Sequence, residues 1–119
     1  VELNDQTNII CQCNNSYIFP GLGLGVIASR ASRISDKMLM TACETLANTS
    51  PLLKNGHGRL LPSLSNLAEL SAEIAFEVGL AAQEENLAPK TTPDRLEKNI
   101  KKHFWEAKYR PYRRIPIPF

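Results

Sequence analysis

Three of the chain's six glycines fall within five residues, at Gly21, Gly23 and Gly25, separated only by leucine and preceded by Pro20. A backbone bare of Cβ atoms at that density serves a tight turn or the close approach of a helix to its neighbour. Upstream, Ser16-Tyr17-Ile18-Phe19 is a β-prone run, so a short strand is expected at 16–19, closed by Pro20-Gly21. Downstream, Leu22, Leu24, Val26, Ile27 and Ala28 are small and apolar. They predict a helix over 22–31 that is apolar on most sides and so buried on more than one face.

Gly23-x-Gly25-x-x-Ala28 satisfies the dinucleotide-binding pattern G-x-G-x-x-[GA]. That pattern works when a strand leads through the glycine turn into a helix N-terminus, with an acidic residue about twenty positions later on the ribose. Glu44 lies nineteen residues after Gly25, but the surroundings argue against the role. Pro20 precedes the turn, Ser35-Asp36 opens a fresh helix, and Glu44 falls inside that helix rather than at the end of a second strand. The glycines are better read as allowing close helix packing. Asn14-Asn15, just before the strand candidate, has two readings. Adjacent asparagines make a turn or cap, and an amide side chain also suits a carboxylate or carboxamide, offering NH₂ donors and a carbonyl acceptor without charge.

At 119 residues the chain can bury one modest core, and 43% hydrophobic with 22% charged residues reads as a soluble globular chain. No apolar run is long enough to span a membrane, and the polar opening VELNDQTN is no signal peptide. The chain starts at Val1, which fits excision from something longer. Cys11, Cys13 and Cys43 cannot all pair within one chain, so they read as reduced, cytoplasmic thiols. Cys11-x-Cys13 with His57 and His103 lacks the spacing of common zinc sites, and no metal site is assigned. The net charge of +2 hides an asymmetry: residues 1–89 carry five Lys/Arg against nine Asp/Glu, residues 90–119 nine against three. A basic end can mark nucleic acid or an anionic surface. The preferred reading is a solvated helix face with an arm docked on a partner subunit, with neither nucleic acid nor membrane as partner.

Four helices are expected in all. Ser35-Asp36 pairs an N-cap oxygen with a first-turn acid, predicting a helix to about residue 48 with Leu39, Ala42, Cys43 and Leu46 at helical spacing. Asn55-Gly56, Gly58 and Pro62 make 51–65 an irregular loop. Asn66 three residues before Glu69 resembles a capping box, opening a helix to about residue 85 with a stripe of Leu67, Leu70, Ile74, Val78 and Ala81. Thr92-Pro93-Asp94 starts the last helix, where Leu96, Ile100 and Phe104 repeat every fourth residue with Trp105 beside them. Three prolines in the last ten residues predict an extended arm.

The run from Gln12 to Gly25 resembles a segment near the C-terminus of malic enzymes, particularly the bacterial NAD-dependent, oxaloacetate-decarboxylating type. The resemblance continues through Ala31-Ser32-Arg33-Ile34-Ser35-Asp36-Lys37-Met38-Leu39-Met40, Gly58-Arg59-Leu60-Leu61-Pro62, Ile74-Ala75-Phe76-Glu77-Val78-Gly79 and Phe104-Trp105-Glu106-Ala107-Lys108-Tyr109-Arg110. Residues 1–11 match less well, with Cys11 where glycine is expected. The resemblance implies a mainly helical fragment of an α/β, Rossmann-like NAD-binding domain. Residues 1–109 would complete that domain and 110–119 form the arm, a candidate for subunit contacts in a homo-oligomer. It further implies oxidative decarboxylation of (S)-malate to pyruvate with NAD, or alternatively NADP, and Mg²⁺ or Mn²⁺ as Lewis acid.

By motif position, Asn15 would contact malate beside the nicotinamide, with Asn14 adjacent. The family's catalytic tyrosine and lysine, its metal ligands and its cofactor glycine motif lie upstream of this region. No catalytic residue is therefore assigned here, and the isolated chain is expected to be inert. A malolactic enzyme fragment, or a standalone helical interaction module with a basic C-terminal face, are the alternatives.

Overall fold

The computed structural model describes residues 2–105 and 108–116. The chain opens with two strands, β1 (Glu2–Leu3) and β2 (Gln6–Thr7), paired antiparallel with Glu2 opposite Thr7 and Leu3 opposite Gln6. Asn4 and Asp5 turn the chain at φ 52° and 59°, the left-handed pair that a two-residue hairpin loop requires. Ile9 and Ile10, the weakly β-prone pair, lie exposed and outside any strand.

The strand expected at 16–19 is absent. Residues Asn15–Tyr17 form a 3-10 turn, and Phe19–Ser29 is already helix α1. The cause is local. Asn14 accepts a hydrogen bond from the Ser16 backbone N–H at 2.9 Å, and Pro20 sits in the first turn of α1, where its missing N–H has no intrahelical partner to lose and its fixed φ is already helical. The proline that was read as closing a strand instead opens a helix.

Helix α2 (Asp36–Asn48) starts as expected, with Ser35 accepting from the Met38 N–H. Its buried face is Met38, Ala42 and Thr45, while Leu39 and Cys43 are exposed, so the apolar stripe is turned from the one read at 39, 42, 43 and 46. Part of the loop expected at 51–65 is helical: α3 (Pro51–Asn55) occupies its start and a 3-10 turn, Leu64–Asn66, its end. Helix α4 (Leu67–Glu84) begins without the expected capping box. The Asn66 side chain makes no cap bond, and Ser63 instead caps the preceding turn through the Ser65 N–H. Helix α5 (Pro93–His103) has the Thr92 cap and the leading proline as read. Phe104 is half-buried beyond its end, but Trp105 is exposed. Five α-helices are thus described where four were expected.

Helix α4 is the axis of the molecule, with Ile74, Ala75, Val78 and Ala82 wholly shielded. Helix α1 lies parallel to it, Gly21 meeting Ser71 and Ile74 and Gly25 meeting Ala75 and Val78. Both helices end alike. The Ala31 N–H reaches the Val26 carbonyl and the Leu87 N–H the Ala82 carbonyl, around Arg30 and Asn86 in the left-handed region. The Ser32 N–H then donates to the Leu87 carbonyl at 2.9 Å, tying the two ends together. Helix α2 runs antiparallel to α4, its Ser35 hydroxyl bonding Glu85 and its Lys37 pairing with Glu84. Helix α5 covers the remaining side, with Leu96 and Ile100 packed around Ala28 and Ala75.

No described helix is long and apolar enough to cross a membrane. Residues 108–116 carry neither helix nor strand and are exposed. Parts of two expected features, residues 106–107 in the last sequence block and 117–119 in the arm, lie outside the described residues.

Candidate functional site

The two asparagines are brought together by the 3-10 turn but are given different work. Asn14 is half-buried and its side-chain oxygen is committed to the Ser16 N–H. Its carbonyl accepts from the Tyr17 N–H, and that of Asn15 from the Ile18 N–H. The Asn15 side chain is exposed and enters none of the hydrogen bonds of the described residues. Its NH₂ and carbonyl therefore remain available, on a turn whose Asn14 and Asn15 backbone carbonyls are both bonded.

What holds this turn in place went unread in the sequence. Tyr17 is 3% exposed, and its hydroxyl donates to the Pro62 carbonyl at 2.8 Å. The ring packs into the same core cluster as Leu22, Ile74 and Val78, so the turn is pinned to the body of the molecule one position after Ser16. A tyrosine inside a β-prone run carries no signal that its hydroxyl will reach a carbonyl 45 residues away.

The glycine motif has the packing role expected of it. A Cβ on Gly21 would stand 2.8 Å from Ile74 Cβ and 2.9 Å from the Ser71 carbonyl oxygen. On Gly25 it would stand 2.9 Å from the Ala75 carbonyl oxygen. These positions, one helical turn apart, let the α1 backbone rest on the α4 backbone. Gly23, on the other face, meets nothing within 4 Å. All three glycines lie inside α1 rather than in a loop leading from a strand, so their N–H groups are not fanned around a phosphate as in a dinucleotide turn.

Cys11, Cys13 and Cys43 are free thiols, and the described residues contain no group of three or more His, Cys, Asp or Glu placed to hold a metal ion. Two exposed ion pairs displace titrations. The hydrogen bond from Lys37 and then its charge hold the Glu84 carboxyl below its ordinary range, and the same bond raises Lys37. Lys101 lowers Glu97 in the same way.

The capped turn presents a free amide and is seated on a glycine-packed helix pair. The wider class is settled by comparison: residues 1–83 match the family described as malic enzyme, NAD binding domain, and the chain belongs to that family. The match takes in residues 1–11, where no block had been recognised. Among curated relatives, the NAD-dependent malic enzyme of Enterobacter sp. (strain 638) is 57% identical over 113 residues, which make up 95% of this chain and 20% of that protein. The NAD-dependent malic enzyme of Escherichia coli (strain K12) is 54% identical over the same shares. The chain thus spans about a fifth of the length of these relatives.

Proposed function

We propose that this chain is the C-terminal segment of an NAD-dependent malic enzyme, an oxidoreductase that converts (S)-malate to pyruvate and CO₂. The observation that carries the reading is identity of 57% and 54% to NAD-dependent malic enzymes across 95% of the chain. The C-terminal placement rests on the order of the motifs between Gln12 and Arg110 in the sequence. In the parent, these helices would cover one side of a Rossmann-like α/β sheet. Apolar side chains left uncovered, among them Phe19, Ile27, Met40, Leu53 and Leu60, support that role. Three unpaired cysteines favour a reducing, cytoplasmic setting. The exposed residues 108–116 are the natural reach toward another subunit of a homo-oligomer.

The described residues do not themselves fit NAD phosphates or a divalent metal, since α4 fills the space beside Gly21 and Gly25 and no ligand cluster is present. NAD and Mg²⁺ or Mn²⁺ would be held by the remainder of the parent. The part played by this chain is orientation. The Asn15 NH₂ donates to a malate carboxylate, and its carbonyl can accept from the nicotinamide carboxamide. Asn14 acts on substrate only through the turn it caps.

Two measurements test this. The isolated chain should show no malate-dependent NAD reduction with Mn²⁺, and measurable turnover would overturn the segment reading. In the parent enzyme, Asn15→Ala should lower kcat/KM for malate by about tenfold to a hundredfold, the range of one hydrogen bond to a charged group, with unchanged circular dichroism. Unaltered malate kinetics would remove Asn15 from the site.

A further inference from the structure

Cys11 and Cys13 stand two residues apart on the segment that leads from the opening hairpin to the Asn14 turn, and both are free thiols. Cys13 is exposed and Cys11 is half-buried. Residues 8–13 carry neither helix nor strand, and residues 9–13 enter none of the hydrogen bonds of the described residues. No backbone bond has to break for the chain to bend at Gln12. The bonding resumes at Asn14, which accepts from the Ser16 and Tyr17 N–H groups.

Fully extended, residues two apart have Cα atoms about 7 Å from each other. A disulfide bridges Cα atoms about 4.4–6.8 Å apart, so a modest bend at Gln12 brings the two sulfurs into bonding range. The short connection also holds each thiol at high effective concentration beside the other, which favours a ring within one chain over a bond between chains. Cys43, by contrast, is carried on α2, thirty residues from Cys13, where it lines an apolar groove with Leu46 and Leu60. The bend at Gln12 falls close before Asn14, whose backbone is extended at φ −147° and ψ 172° and whose Oδ1 accepts from the Ser16 N–H at 2.9 Å. That bond depends on the direction from which the chain enters the turn.

We infer that Cys11 and Cys13 form a redox-active dithiol, oxidised to an intramolecular disulfide by low-molecular-weight disulfides of the glutathione class, and that this bond loosens the Asn14 turn. The exposed Cys13 thiolate attacks one sulfur of the small disulfide, expelling one thiolate and leaving a mixed disulfide on Cys13. The Cys11 thiolate then attacks the Cys13 sulfur and expels the second. The pair gives up two electrons and two protons, and the small disulfide takes both up as two thiols. In a reducing compartment the pair rests reduced and closes only when the disulfide pool rises, as redox-sensing thiols do. Neither thiol takes part in the role proposed for Asn15, so the pair stands whether or not that amide meets malate.

The test is to equilibrate the 119-residue chain with mixtures of glutathione and glutathione disulfide, quench by alkylation, and map the cysteines by mass spectrometry. As the disulfide fraction rises, Cys11 and Cys13 should lose alkylation together, joined to each other in a single peptide, while Cys43 stays alkylated. Cys11→Ser should instead accumulate the glutathione adduct on Cys13, and Cys43→Ser should behave as the unaltered chain. Hydrogen exchange should show protection lost at Ser16 and Tyr17 in the oxidised chain and regained on reduction with dithiothreitol, with α4 unchanged throughout. A glutathione adduct persisting on Cys13 while Cys11 is present would overturn the inference. So would a bond from either thiol to Cys43 or to a second copy, or protection at Ser16 that is the same in both redox states.

Discussion

Three glycines spaced two apart meet two opposite constraints, and substitution should separate them. Gly23 sits on an exposed helical face with nothing within 4 Å of a new Cβ. Gly23→Ala should therefore stabilise the chain by about 0.5–1 kcal/mol through lost freedom of the unfolded backbone. Gly21→Ala and Gly25→Ala would drive a methyl against the Ser71 or Ala75 carbonyl. Since backbone cannot move aside as a flexible side chain would, each should destabilise by about 1–3 kcal/mol. Urea unfolding of the three variants checks the opposite signs, and a stabilised Gly25→Ala would mean the helices have room to part. The packing function of the motif was legible beforehand, because the missing second strand spoke against a phosphate turn. Which glycine does the packing was not legible, because that depends on where α4 lies. The same holds for the asparagine pair. Its amide chemistry could be read from the residues, but the division between a spent Asn14 and an available Asn15 needed the turn.

At the level of elements, α2 and α5 were readable from caps at their starts, and α4 from its apolar stripe of Leu70, Ile74, Val78 and Ala81. Ser35 and Thr92-Pro93 mark α2 and α5 within their own sequence. By contrast, the run from Ser16 to Phe19 has β propensity that a cap at Asn14 and docking of Tyr17 override. The buried face of α2 is likewise chosen by α4, which selects Met38 over Leu39. The α2–α4 contact is reinforced by the Lys37–Glu84 pair, and its pH dependence has a definite sign. Glu84 is lowered from 4.5 in the fold, so its contribution is present above that value and lost as pH falls through the depressed one. Lys37 is raised from 10.5, so its contribution is present below that value and lost as pH rises through the raised one. The Tm difference between the parent chain and Lys37→Gln should hold across neutral pH, close toward acid, and shrink in molar salt because both groups are exposed. A difference that persists in acid would assign the effect to packing of the lysine stem.

For the molecule as a whole, the uncovered apolar surface has a measurable outcome. An open groove of about 650 Å³ runs between α2, α3 and the following loop, lined by Ile18, Leu46, Leu52, Leu53, Leu60 and Leu61. Without covering chain, such a groove favours association of copies. Sedimentation velocity should show concentration-dependent self-association that Leu53→Glu with Leu60→Glu abolishes; a monomer at every concentration would contradict it. The parallel seating of α1 on α4 has a further consequence, for the order of folding. Helices α4 and α5 are neighbours in sequence and can pair across a short linker, but α1 reaches α4 only by closing a loop of some 50 residues, with Gly21 placed on Ser71. Closing the longer loop carries the larger entropy loss, and only a backbone-to-backbone fit rewards it. Leu96→Ala, at the α4–α5 contact, should therefore slow refolding, whereas Leu22→Ala, at the α1–α4 contact, should mainly speed unfolding. The turn that presents Asn15, upstream of α1, would then be among the last parts of this chain to take shape.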